Sequence, residues 1–75
     1  MKTTEEYELA YREARAVLHR RGKKIEAPYA DENGLRFCRV EGRPLSDREL
    51  FREAWDDRIA DELLASVSRK VIRAG

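Results

Sequence analysis

Apolar residues near the start of the chain recur at intervals of three and four. At that spacing they lie on one face of a helix: Tyr7, Tyr11, Ala14 and Leu18. Thr3 followed by Glu6 is a capping-box pair, and Gly22 is the residue type that ends helices in a left-handed conformation. The pattern predicts a helix over residues 3–21.

Residues 24–41 have a different pattern, because Pro28 and Gly34 exclude a continuing helix. Two short runs suited to strands flank the sequence Asp31-Glu32-Asn33-Gly34. Asp at the first position and Gly at the fourth are typical of a type I turn. The segment therefore predicts a β-hairpin.

Two registers of this hairpin compete. A tight Asn33-Gly34 turn would place two glutamates opposite each other, whereas opposite charges across a strand pair contribute up to about 1 kcal/mol. A four-residue loop gives the pairs Ala30 with Leu35, Glu26 with Arg39, and Lys24 with Glu41, and we expect this register. One face then carries Ile25, Ala27, Tyr29, Cys38 and Val40, and the other carries Pro28, Ala30, Leu35 and Phe37.

A second helix is predicted after a turn over residues 41–44. Ser46 is a suitable N-cap with Glu49 closing a capping box, and Leu45 and Leu50 can form a hydrophobic staple. Apolar positions then recur at helical spacing without Gly or Pro, which predicts a helix over 47–73 that is about 40 Å long. Asp56-Asp57 is the point where an interruption fits, because Asp is a poor residue inside a helix and a good cap.

The predicted fold class is therefore α+β, a single small domain over residues 1–75 in the order helix, β-hairpin, long helix. Phe51 and Trp55, one helical turn apart, are expected to be buried at its centre. The first helix and the hairpin are too short to cover an apolar stripe of about 40 Å. A two-fold homodimer or another protein partner would cover the remainder, through an interface formed by Leu63, Leu64, Val67, Val71 and Ile72.

The composition of the chain excludes some classes of function but does not identify one. The chain has 16 basic and 15 acidic residues and a net charge of +1, which is not the overall charge of a nucleic-acid-binding protein. One basic cluster could still bind nucleic acid, and it comprises Arg12, Arg15, Arg20, Arg21, Lys23 and Lys24. The single Cys, the acidic N-terminal segment and the lack of a long apolar run favour a cytoplasmic protein, not a secreted or membrane one. The abundance of Arg over Lys favours a bacterial source.

Few side chains in the sequence suggest catalysis. His19 adjoins two arginines at a helix end, and Cys38 lies in a predicted strand among apolar residues, so both are expected to be structural. Asp57 and Asp61 share a helix face, but no loop supplies further oxygen ligands for a cation. We therefore expect no catalytic, metal or cofactor site.

The sequence thus favours a small non-catalytic module for protein–protein interaction or regulation that self-associates through its C-terminal helix. The alternative is a nucleic-acid-binding protein that uses the segment Arg12–Lys24. The identity of the partner is not encoded in any motif of the chain.

Overall fold

The computed structural model describes the backbone of residues 4–74 and the side chains of residues 4–65. In chain order its elements are α1 (Thr4–Arg20), β1 (Tyr29–Ala30), β2 (Arg36–Val40), β3 (Arg43–Ser46), α2 (Asp47–Ala54) and α3 (Asp57–Ala74). The strands form an antiparallel sheet in the order β1-β2-β3. The predicted α+β class is confirmed, and the structure adds a third strand and divides the predicted long helix into two.

The first helix ends where its sequence predicts. Gly22 has a φ of 85°, and its N–H donates to the carbonyl of His19 (3.0 Å). The N–H of Lys23 reaches back to the carbonyl of Leu18 (3.1 Å). These two hydrogen bonds form a Schellman motif, which satisfies carbonyls that the end of the helix leaves free. The predicted cap, Thr3, lies outside the described residues.

The open end of the first hairpin follows the predicted register. The N–H of Glu26 donates to the carbonyl of Arg39 (3.0 Å), and the N–H of Glu41 donates to the carbonyl of Lys24 (2.9 Å). The Glu41 carboxylate in turn accepts a hydrogen bond from the N–H of Lys24 (2.6 Å). The predicted pairs of opposite charge therefore lie opposite each other here.

At the closed end the predicted register is wrong by one residue. Tyr29 pairs with Phe37 and Ala30 with Arg36, so Ala30 is not opposite Leu35. The connecting loop has three residues, a type I turn followed by Gly34 in a left-handed conformation (φ 82°). The Asp31 side chain fixes this loop, because its Oδ1 accepts hydrogen bonds from the N–H groups of Asn33 (2.8 Å) and Leu35 (2.9 Å).

The second hairpin was not predicted. Glu41 and Gly42 have φ angles of 55° and 80°, the left-handed pair that a two-residue type I′ turn requires. The turn is therefore shorter than predicted, and residues 43 and 44 belong to β3. Pro44 fits because β3 is at the edge of the sheet, where a strand can lack an N–H donor.

The second helix begins as predicted and ends early. Ser46 caps α2 in a complete capping box with Glu49, and both staple residues, Leu45 and Leu50, are buried. The helix stops after Ala54, and Asp56 caps α3 by accepting a hydrogen bond from the N–H of Ile59 (2.8 Å). The interruption falls where the adjacent aspartates allowed it, so the continuous helix of about 40 Å is absent.

One core joins the inner face of the sheet to the three helices. Its members include four residues of α1 (Tyr7, Tyr11, Ala14 and Leu18) and, from the other elements, Cys38, Val40, Leu45, Leu50, Phe51, Ala54, Ala60 and Leu63. Phe51 is fully buried at the centre, where Tyr7 and Tyr11 meet its ring edge to face, with ring centroids 5.4 and 6.2 Å away. Trp55 stacks on Phe51 but is half-buried, because it occupies the helix break and not the helix interior that was predicted.

Candidate functional site

A basic groove runs between the second half of α1 and the segment that follows it. The groove has a volume of about 420 Å³ and is lined by Arg12, Arg15, Ala16, His19, Arg20 and Ile25, and the name basic groove refers to these residues below. Its four nitrogen-bearing side chains lie within three turns of one helix. Among the described residues, none of the four forms an ion pair with a carboxylate.

The rest of the predicted basic cluster does not line this groove. Arg21 turns towards α2, where its Nη1 and Nη2 donate to the carbonyls of Glu53 and Ala54 (both 2.9 Å). These carbonyls are at the C-terminal end of α2, where a cation is also favoured by the helix dipole. Lys23 and Lys24 are exposed beyond the end of α1. Three of the six residues therefore lie outside the groove.

Below the basic groove, polar atoms meet the core at Cys38. Burial raises the pKa of the Cys38 thiol, and this outweighs the lowering by the charge of Arg15 and by hydrogen bonding from Arg15 and Tyr11. The thiol donates to the carbonyl of Glu26 (3.3 Å), and Cys38 is fully buried. A protonated, enclosed thiol packs as an apolar side chain, which is the role the sequence predicted.

Two of these polar atoms, the Tyr11 hydroxyl and Arg15 Nε, are buried, and the acceptor beside them is the Cys38 sulfur. Burial raises the pKa of Tyr11 to about 12, so the hydroxyl is protonated and is a donor at neutral pH. Buried donors without acceptors are uncommon in folded proteins, because each loses its hydrogen bond to water. These two donors lie beside a sulfur atom, which accepts hydrogen bonds only weakly.

A second charged cluster centres on Arg36 and was not found from the sequence. Its guanidinium lies over the Tyr11 ring, 3.7 Å from the centroid, and binds Asp47 through Nε (3.1 Å) and Nη2 (2.7 Å). Nη1 donates to Glu8 (2.7 Å), and the Tyr7 hydroxyl donates to the same Asp47 carboxylate (2.5 Å). Burial and this carboxylate raise the pKa of Tyr7. Arg36, Glu8, Asp47 and the Tyr7 hydroxyl all pair within the cluster, which therefore joins α1, β2 and α2.

The paired carboxylates of α3 are occupied by arginines. Asp57 forms an ion pair with Arg52 (3.8 Å), and Asp61 forms one with Arg48. Over the described part of the chain, no group of three or more potential ligands is arranged to hold a metal ion. The two aspartates lie on an exposed surface of α3, each beside an arginine of α2.

The outer face of the sheet carries exposed apolar side chains, and the name outer face refers below to Tyr29, Leu35, Phe37 and Arg39. Tyr29 and Leu35 are 39% and 58% exposed, and Phe37 is half-buried. The Tyr29 and Phe37 rings are 6.1 Å apart, and the Arg39 guanidinium lies 5.7 Å from the Tyr29 centroid. The predicted register placed Tyr29 on the opposite face, beside Cys38. In the observed register Tyr29 pairs with Phe37 and lies on the outer face instead. A register shift of one residue moves the side chains of a strand to the opposite face of the sheet.

The predicted C-terminal interface is only partly within the described side chains. Leu63 is 3% exposed and packs in the chain's own core, so it is not available to a partner. Leu64 is half-buried and lines a cleft of about 280 Å³ together with Leu35 and Phe37. Val67, Val71 and Ile72 lie outside the described side chains. Because α3 turns back against α2 and α1, the geometric reason for this interface no longer applies.

No protein-family model, curated protein or solved structure matches this chain. None of the helices in the described part of the chain is long and apolar enough to cross a membrane.

Proposed function

We propose that this chain is a non-catalytic interaction module that self-associates through the outer face of its sheet. The observation that carries the proposal is the exposure of Tyr29 and Leu35 beside Phe37 on one continuous surface. Contiguous apolar side chains are costly in water and commonly mark surfaces that bind protein. The cleft that joins Leu35 to Leu64 extends this surface towards α3.

A second copy of the chain is the partner that this surface fits best. An apolar patch is complementary to itself across a two-fold axis, whereas a patch of one charge would repel its own copy. Arg39 is the charged residue of the outer face, and it already lies against the Tyr29 ring. A chain of 75 residues has a small core, so additional burial in a dimer adds usefully to its stability.

Light scattering after size-exclusion chromatography tests the proposal over a wide range of protein concentration. The expected mass of the wild type rises from one chain towards two as concentration increases. Leu35→Lys places a charge in the apolar surface and should weaken dimerisation roughly tenfold or more, because burying a leucine contributes about 1.5–3 kcal/mol.

Leu9→Lys is the matched control. Leu9 is 56% exposed, close to the 58% of Leu35, but it lies on α1 away from the sheet. This variant should dimerise like the wild type, and circular dichroism should show both variants folded. A wild type that stays monomeric at the highest concentration, or two variants with equal effects, would overturn the proposal.

A further inference from the structure

We propose that the basic groove is a binding site for a single phosphate group. The site is separate from the outer face, so the two proposals can fail independently. Arg12, Arg15 and His19 are spaced three and four residues apart, which directs them to the same side of α1, and Arg20 adjoins them. No described carboxylate compensates these arginines. Three guanidinium groups gathered without a counter-ion attract an anion.

The other arginines in the described part of the chain fall into two groups. Arg36, Arg48 and Arg52 each pair with a carboxylate, and Arg21 is bound to backbone carbonyls. Those without an ion pair lie on three separate elements: Arg39 on β2, Arg43 on β3 and Arg58 on α3. The basic groove differs because it gathers three arginines without an ion pair around one depression, where they attract a countercharge from outside the chain.

Arg15 provides the second observation. Its side chain is half-buried and lines the basic groove, and its buried Nε has the Cys38 sulfur beside it in place of a carboxylate. A half-buried guanidinium without an ion pair is less favourable than a paired one. An anion in the groove would supply the countercharge that Arg15 lacks.

The donor set favours phosphate. A guanidinium presents parallel N–H groups that match two oxygens of a phosphate, and three such groups around one groove can contact the oxygens of one dianion. His19 adds a ring N–H at the same end of α1. The groove is open to solvent at its surface, so the phosphate can be inorganic or part of a larger ester.

The surroundings favour one phosphate group over an extended nucleic acid. The first turn of α1 carries Glu5 and Glu6, and Glu8 follows two residues later, so the basic surface does not continue along the helix. At the other end, Arg21 is withdrawn to α2. A polynucleotide chain needs a positive track several phosphates long. The positive charge of the basic groove is confined to one short region, which suits a single phosphate group.

The experiment titrates the full chain with inorganic phosphate and with phenyl phosphate at constant ionic strength, with chloride as the reference. Amide chemical shifts measured by NMR report binding and its place. We expect saturable shifts in residues 12–25. Arg12→Gln and Arg20→Gln, both at exposed positions, should each weaken binding about tenfold, because each removes one charge-assisted contact.

Arg58→Gln is the matched control, since Arg58 is exposed on α3, outside the groove, and the charge change is identical. Its phosphate affinity should equal that of the wild type. Tighter binding of phenyl phosphate would assign the site to a phosphate ester, and tighter binding of inorganic phosphate would assign it to free phosphate. The proposal is overturned if neither ligand acts beyond chloride, or if Arg58→Gln weakens binding as much as the groove variants. An oligonucleotide without terminal phosphates is titrated in parallel, and the proposal is equally overturned if only that ligand binds.

Discussion

Arg36 illustrates why single residues of this site were hard to recognise in the sequence. Its partners Glu8 and Asp47 lie 28 residues before it and 11 residues after it. Neither ion pair can be recognised from the spacing of the residues in the sequence, because both pairs form only when α1 packs beside α2 and β2. The caps at Gly22 and Ser46, by contrast, depend on residues within four positions and were predicted correctly.

We expect Arg36→Ala to lower the free energy of unfolding by about 2 kcal/mol. The change leaves the carboxylate of Asp47, which is 19% exposed, without its cation, and it removes the guanidinium from the Tyr11 ring. Arg48→Ala is the control, because Arg48 also pairs with an aspartate but both side chains are at least half exposed. It should cost less than about 1 kcal/mol. Urea denaturation measures both, and equal losses would contradict a structural role for the Arg36 cluster.

Cys38 should react slowly in the folded protein. Burial raises the pKa of its thiol, and alkylation needs an exposed thiolate. At pH 8 we expect iodoacetamide to modify the native chain at least about 100-fold more slowly than the chain in urea. Similar rates in the two conditions would show that the thiol is accessible and that the core beneath the basic groove opens readily.

The end of α1 and the start of α2 were easier to predict than the strand boundaries. The capping box of α2 uses two side chains that the sequence displays three residues apart, Ser46 and Glu49. The register of β1 against β2 was decided instead by the Asp31 carboxylate, which takes the N–H of Leu35 and shortens the loop. Charge pairing predicted the open end correctly, but side-chain hydrogen bonding within the turn outweighed it at the closed end.

The third strand escaped prediction because its four residues include a proline. Arg43–Ser46 pairs with β2 through a turn in which Glu41, a non-glycine residue, has a positive φ. Asn-Gly or Asp-Gly would have indicated a type I′ turn, whereas Glu-Gly is a weaker signal. In the structure Pro44 is exposed and Leu45 is buried, as alternation along a strand requires, but both residues are apolar, so the sequence did not show this alternation.

We expect Ser46→Ala to destabilise the protein by about 1 kcal/mol at neutral pH, because the N–H of Glu49 loses its acceptor.

Hydrogen bonding from the Ser46 backbone lowers the pKa of Glu49 from its ordinary value of 4.5. A lowered pKa in the folded state means that this stabilisation is present above pH 4.5 and is lost as the pH falls through the folded value. Glu49→Gln should reduce the acid sensitivity of unfolding measured between pH 6 and pH 3. An unchanged pH profile would contradict the contribution of this carboxylate.

At the scale of the whole molecule, the break between α2 and α3 has the largest consequence. A continuous helix would have left Leu63 far from the first helix and the hairpin, which was the sequence-based reason for a partner there. Asp56 starts a new helix, and α3 turns back so that Ala60 and Leu63 complete the core. The amphipathic pattern is the same for one helix or two, so periodicity alone could not decide between them.

The substitution Leu63→Ala distinguishes a continuous second helix from the arrangement in which α3 turns back onto the core. In the folded-back chain Leu63 is 3% exposed, and its truncation should cost about 2–4 kcal/mol, because it leaves a cavity among residues of the same chain. This cost, measured as the difference from wild type in chemical denaturation, should be the same at low and high protein concentration. Leu64→Ala, at a half-buried position, is the control and should cost less. If the cost of Leu63→Ala instead grows with concentration, Leu63 contributes to a subunit interface, and α3 does not turn back in solution.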